Sequence, residues 1–488
     1  MSFDTFCGQN RTDPSTYQKV LTKFLSAAPT AVIDTTNANA TVFPVLAAGG
    51  GGLPQQLLVD DGLTPISVNC FNGNFNVVDT LKITQTQVAV GKGAGATNQA
   101  ADSVAVGIGA GTTNQGTQCV AVGEASGQSN QGANATAVGV VAGQINQGAN
   151  ATALGVNAGN SNQSANSVAV GLNAGETTQG ADSVAIGNVA GQTTQGASSV
   201  AIGINAGNTT QGASSVAVGS SAGQTTQGAN SVAVGLNAGN TTQGVNATAL
   251  GSNAANDSQG NNGVAIGLNA GQTTQGADAV AIGTNAGQTT QTLQAVAIGV
   301  NAGVTTQGAN SVAIGAASGF TTQGANSVSI GLSSGTTNQG TQSVAVGADS
   351  GGTNQGASSV AVGYFAGGSA QGGSSVAIGV NAGRTTQGDN SVAVGGGAGQ
   401  TTQGAGAVCI GSNAGNGNQG ANAVAIGNLA GQTNQSAGSI VINASGAALN
   451  TGATVGLFIK PIRGVALGIG AGRLFYDVAT SEIQYSTT

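Results

Sequence analysis

Val88-Ala89-Val90-Gly91 returns as Val104-Ala105-Val106-Gly107, then as Val120-Ala121-Val122-Gly123, and so on to Ile440. The step is sixteen residues, taken twenty-two times without insertion or deletion. A consensus unit reads V-A-(V/I)-G-x-N-A-G-x-T-(T/N)-Q-G-A-(N/S/D)-S. Fixed-period self-similarity of this kind marks a solenoid, in which each repeat is one lap of chain that buries its core only against its neighbours.

Inside a unit, Val, Ala and Val or Ile alternate with a period of two, the signature of a strand with one face buried. The reading places about two large aliphatic side chains per coil in a continuous core. Gly stands at the fourth place in all 22 full units, from Gly91 to Gly427. At Gly91, Gly107, Gly171, Gly187, Gly203 and Gly235 it is expected to permit a turn that a side chain would block. A second Gly follows four places later and fails once, at Ala255. The expected fold is all-β: a parallel β-solenoid of about 22 coils, on the order of 100 Å long at about 4.8 Å per coil.

Glutamine holds one place in every unit, from Gln99 to Gln435. A carboxamide carries both donors and acceptors, so a column of them is expected to form an amide ladder from coil to coil. Its members include Gln99, Gln115, Gln131, Gln147, Gln179, Gln195, Gln211, Gln227, Gln243, Gln275, Gln307 and Gln323. The alternative is an outward glutamine kept by repeat duplication. No proline interrupts residues 88–442, and only ten charged residues fall there. Both facts suit stacked ladders, which need every N–H and would bring like charges together.

The flanks differ in composition. Five of the six prolines lie in residues 1–87. Asp13 and Pro14 are suited to start a helix whose apolar face is Tyr17, Val20, Leu21, Phe24 and Leu25. Gly49-Gly50-Gly51-Gly52 reads as a joint, and Leu57-Leu58-Val59, Ile66-Ser67-Val68 and Val77-Val78 as short strands. The division is therefore 1–87 as an anchoring or capping domain, 88–442 as the array and 443–488 as a cap or assembly tail. In the tail, Leu474 to Asp477 and Glu482 to Tyr485 read as a hairpin. Phe458, Ile459, Leu474, Phe475, Tyr476, Ile483 and Tyr485 are its candidate assembly residues.

Net charge is −7, with no basic patch, so phosphate-led nucleic-acid binding has no support. No apolar run is long enough for a membrane span. Residues 1–7 lack a secretory-signal pattern, so a route outside by virion assembly and lysis is expected instead. The chain has no histidine and few carboxylates, which excludes a Ser-His-Asp site in its usual form. Cys7, Cys70, Cys119 and Cys409 form no metal or redox spacing, and the last two read as small buried residues. No enzyme activity, cofactor or metal is expected. Thr-Thr pairs such as Thr209-Thr210, Thr225-Thr226 and Thr241-Thr242 suggest a remote ice-binding reading. Against it, adjacent side chains on a strand point to opposite faces. The array's aromatics are Phe320, Tyr364 and Phe365.

The unit Asn310-Ser311-Val312-Ala313-Ile314-Gly315, followed by Ala316-Ala317-Ser318-Gly319, resembles the repeats of YadA-type heads in trimeric autotransporter adhesins. The resemblance covers residues 88–442 and implies a β-roll, three chains side by side and adhesion. The family's usual unit is shorter than the one here, which is lengthened around Thr-Thr-Gln-Gly. The tail from Leu457-Phe458-Ile459-Lys460-Pro461-Ile462-Arg463 to Tyr485 is similar to that of fibre-like proteins of giant DNA viruses and some phages. Together these imply a fibre of the virion surface or tail, assembled as a homotrimer or a head-to-tail filament. Its other partners would be a capsid anchor and a host-surface receptor or glycan.

Overall fold

The structure is a computed structural model that describes residues 56–57, 66–69, 74–77, 87–462, 473–477, 479–480 and 482–486. It divides into two units, Met1–Thr86 and Gln87–Thr488. In the first, Gln56–Leu57, Ile66–Asn69 and Asn74–Val77 form an antiparallel sheet, with Val68 opposite Phe75. The helix expected after Asp13, the glycine joint, Cys7 and Cys70 lie outside the described residues.

The second unit is the solenoid, and no helix occurs among the described residues. Its main ladder is one parallel sheet of 24 strands, from Gln87–Val90 to Leu457–Lys460. Each residue sits over its equivalent sixteen positions on, as in Val200 over Val216 and Ala201 over Ala217. The last step is one residue longer, pairing Ile440 with Leu457, so the ladder runs one coil past the expected end at 442. A hairpin follows, Arg473–Asp477 against Glu482–Ser486, with Leu474 opposite Tyr485 and Tyr476 opposite Ile483.

The glutamine strands stack opposite, in runs of four, ten and four, with bridges such as Gln163 to Gln179 and Gln339 to Gln355 between runs. The residue before the glutamine alternates between left-handed Asn and extended Thr without tracking the breaks, since Asn98, Asn114, Asn130 and Asn146 lie inside the first run. Asn98, Asn114, Asn130, Asn146, Asn162, Asn338 and Asn434 are left-handed, with φ from 48° to 58°. Asn tolerates that region, whereas β-branched Thr does not and keeps the strand extended.

The turn glycines Gly91, Gly107, Gly171, Gly187, Gly203 and Gly235 have φ between +125° and +133°. That conformation is open to glycine alone. Space is also closed: a Cβ on Gly171 would lie 2.5 Å from the carbonyl oxygen of Gly187 in the next coil.

The core differs from the expectation in phase. The middle residue of each main strand faces inward, as does the turn residue five places on: Ala201 and Ala206 are 0% exposed, as are their equivalents from Ala105 and Ala110 to Ala425 and Ala430. The Val and Ile on either side face outward, with Ile202 at 38% and Ile378 at 40% exposed. The expected spine of two buried aliphatics per coil is therefore corrected to a spine of alanine methyls and glutamine amides. The reason is volume. A Cβ on Gly207 would come within 2.8 Å of Gln211 Oε1 and 3.3 Å of Ala201 Cβ, so the lumen is already filled. A coil this short closes too tightly for branched side chains.

Candidate functional site

The glutamines are the largest side chains in the lumen, and Gln115 onward are buried. All 22, from Gln99 to Gln435, donate Nε2 to the carbonyl eleven residues earlier, at 2.6–3.1 Å. Gln211 thus reaches across its own coil to Val200. The coil-to-coil amide bond is made in eleven places, at 2.9–3.2 Å, for example from Gln243 to Gln259. At Gln195, Gln211, Gln323, Gln371, Gln387 and Gln403 the Oε1 has no partner. The constant interaction is therefore a brace within each coil, and the ladder is superposed on it in runs. The outward alternative does not describe these glutamines.

Two columns of Val and Ile run down the outer face of the main sheet. Their members include Leu154, Ile186, Ile202, Leu250, Ile330, Ile410 and Ile442, each between 37% and 46% exposed. The third-place column is apolar in every coil, the first-place column is broken by Thr136, Thr152 and Thr248, and no charged residue falls in these strands between Val88 and Ile442. The strip they form follows from the inverted phase, which is why the aliphatic pattern alone did not expose it.

On the glutamine side, Thr177 and Thr178 are both exposed, and so are Thr193-Thr194, Thr209-Thr210, Thr225-Thr226 and Thr241-Thr242. The expectation of opposite faces does not hold because the first Thr lies in a bend before the two-residue strand.

Of the tail residues, Phe458 packs with Leu449 against the last alanines of the core, while Ile459 is 41% exposed. Ile483 is exposed. The hairpin register sets Leu474 opposite Tyr485, Phe475 opposite Gln484 and Tyr476 opposite Ile483.

Cys119 and Cys409 are buried free thiols in alanine- and serine-sized places. Cys409 Sγ lies 2.6 Å from Gln419 Oε1. Burial pushes its thiol up to about 12. A raised thiol pKa favours the folded state fully below the unfolded value and loses that advantage as pH climbs to the folded value. Native Cys409 is therefore expected to resist iodoacetamide at pH 8.5 at least 100-fold relative to the urea-unfolded chain, read by peptide mass mapping. Equal rates would refute the buried placement.

Among the described residues no group of three or more metal-ligating side chains converges, and no helix is long and apolar enough to cross a membrane. The aromatics separate: Phe320 is half-buried on its own, while Tyr364 and Phe365 pack edge to face with ring centres 4.4 Å apart. Searches against family models, curated proteins and solved structures returned no match for this chain.

Proposed function

We propose that this chain is a structural fibre protein, a stiff rod that works as a lateral bundle of copies on a virion surface or tail, for host attachment or surface coating. The observation that carries the reading is the outer Val/Ile strip. A face about 10 Å wide, three residues of strand, over 24 coils at about 4.8 Å each offers on the order of 1,000 Å² per copy. Stable interfaces need about 800 Å² per partner. A second copy with the same repeat meets the strip in register at every coil. The virion assignment rests on the resemblances of the repeat and the tail.

Mass photometry and negative-stain electron microscopy test this together. Rods with a mass at least twice the 46.0 kDa of one chain are expected, three times if the adhesin-like bundle holds. Replacing Ile186, Ile202 and Ile282 by Lys should return them to single-chain mass. Monomers at micromolar concentration, or compact globules, would overturn the reading. Growth of scattering without limit would point instead to a self-polymerising filament.

The doubly exposed Thr columns favour a second reading, that this face orders water or binds ice. Thermal hysteresis in a nanolitre osmometer decides it; none at millimolar protein removes it.

A further inference from the structure

Coils in the region 348–384 bring two glycines, two aromatics and an arginine to one part of the surface. The place after the second turn glycine carries Gln or Asn in most units, among them Gln192, Asn208, Gln224 and Asn240. These amides bond to one another across coils, as Asn208 Nδ2 does to Gln192 Oε1 at 3.1 Å and Asn240 Nδ2 to Gln224 Oε1 at 2.9 Å. The amides give way to Val304, Phe320 and Thr336; at Gly352 and Gly368 two successive coils carry no side chain at this place, and Arg384 occupies the next.

The interruption is lined in a specific way. Phe365 leans over Gly368: a Cβ there would lie 3.5 Å from the ring's Cδ1. The guanidinium of Arg384 covers the ring, its carbon 4.8 Å from the ring centre. Phe365 itself is held left-handed, φ 55°, by a column in which Asn is the commonest occupant. A bulky residue pays for that conformation. Tyr364 stands beside it at 64° and is 51% exposed. One coil earlier, at Phe365's equivalent place, is Asp349. Arg384 is the array's one arginine, and Tyr364 and Phe365 are two of its three aromatics.

We infer that the Gly352–Gly368 gap, bordered by Phe365 with Tyr364 packed against it, and with Arg384 one coil beyond and Asp349 one coil before, is a binding site for a sugar unit of a glycan. An aromatic face takes up the C–H face of a pyranose. Stacking occupies only the plane of the guanidinium, so its edge N–H groups stay free to donate to ring or hydroxyl oxygens. Asp349, across the aromatics, accepts from hydroxyls. Two coils, about 10 Å, match one to two sugar rings. A purely apolar partner would leave both charges unpaired, and a polyanion would meet Asp349; the pairing of one donor and one acceptor about an aromatic platform favours a neutral polyhydroxyl ligand. The site deepens the attachment reading by naming what the fibre touches.

The test is saturation-transfer-difference NMR on the full chain with the methyl glycosides of glucose, galactose, mannose, N-acetylglucosamine and N-acetylneuraminic acid. At least one of the four neutral glycosides should show transfer to ring protons with millimolar affinity, and transfer to the N-acetylneuraminic acid glycoside alone would overturn the neutral-ligand assignment. Tyr364→Ala should weaken it at least tenfold and Arg384→Gln several-fold, while Phe320→Ala leaves it unchanged. No transfer from any glycoside, or transfer that survives Tyr364→Ala, overturns the site. Micrographs of the same variants keep the two ideas apart: rods without sugar binding sink only this inference, and absent rods sink the fibre reading.

Discussion

Replacing Gln227 by Met is expected to open the solenoid locally, and replacing it by Ala to open it further. The amide of Gln227 lies in the lumen, donating to Val216 O at 2.8 Å and to Gln243 Oε1 at 3.2 Å. Methionine keeps most of the volume but cannot donate, so it leaves the Val216 carbonyl buried without that bond, at about 1–3 kcal/mol. Alanine adds the cavity of a large-to-small change, raising the cost to about 3–5 kcal/mol. In a quasi-one-dimensional array the loss is felt first at the altered coil and its neighbours. Hydrogen exchange should therefore show faster amides over residues 211–250, with the distant coils unchanged, and the Gln227→Ala, Gln243→Ala pair should exceed either alone. A Gln227→Met chain that exchanges like the parent would mean the brace contributes nothing. Gln227→Glu is a sharper version. At neutral pH it places a carboxylate against a carbonyl in a site with no cation, and acidification should partly repair it because the protonated acid recovers a donor.

Much of this arrangement is legible in the repeat. The sixteen-residue step, the obligatory Gly91-type turns and the proline-free run specify stacked parallel laps. The glutamine column also reads as a bonded one, since a carboxamide offers two donors and an acceptor on a side chain long enough to cross the coil. What periodicity does not supply is which parity of Val-Ala-Val faces in. Alternation fixes that one face is buried and leaves the choice to the bore of the coil, which depends on how the turns close. A usable signal lies in the middle column. Its exceptions to alanine within the sixteen-residue coils are Ser329, Cys409 and, at the last one, Val441. A place restricted to such small side chains is under a volume limit, whereas the flanking places accept Thr136, Thr152, Leu154 and Leu250. Val441 fits that logic, because the core there meets Leu449 and Phe458 rather than another complete coil. The Tyr364–Arg384 grouping is legible only after folding: nineteen to twenty residues separate its parts in sequence, and it is the coil stacking that makes them neighbours.

The inverted parity has the second large consequence, and a pair of substitutions in one strand exposes it. Ala201→Leu adds three carbons to a lumen where Ala201 is 0% exposed and Gln211 already fills the space. Overpacking of this kind costs about 1–3 kcal/mol in cores that relax, and the closed coil has little freedom to do so. Ile202→Ala removes as many carbons as Ala201→Leu inserts, three, yet from a side chain that is 38% exposed in the single chain. Its direct cost should stay near 1 kcal/mol or less, a fraction of the 1.5–3 kcal/mol for full burial. A long array need not melt in two states, so the comparison is best made by exchange at coils 184–218 and by circular dichroism at fixed temperature. The expected order is Ala201→Leu much worse than Ile202→Ala; a core of stacked Val and Ile demands the reverse. The same pair separates folding from assembly. Ile202→Lys should leave the coil's exchange pattern intact while shifting the mass distribution toward single chains, because its cost falls on the copy-to-copy face alone. Should Ile202→Lys unfold the coil instead, both the outward parity and the bundle built on it would fail together.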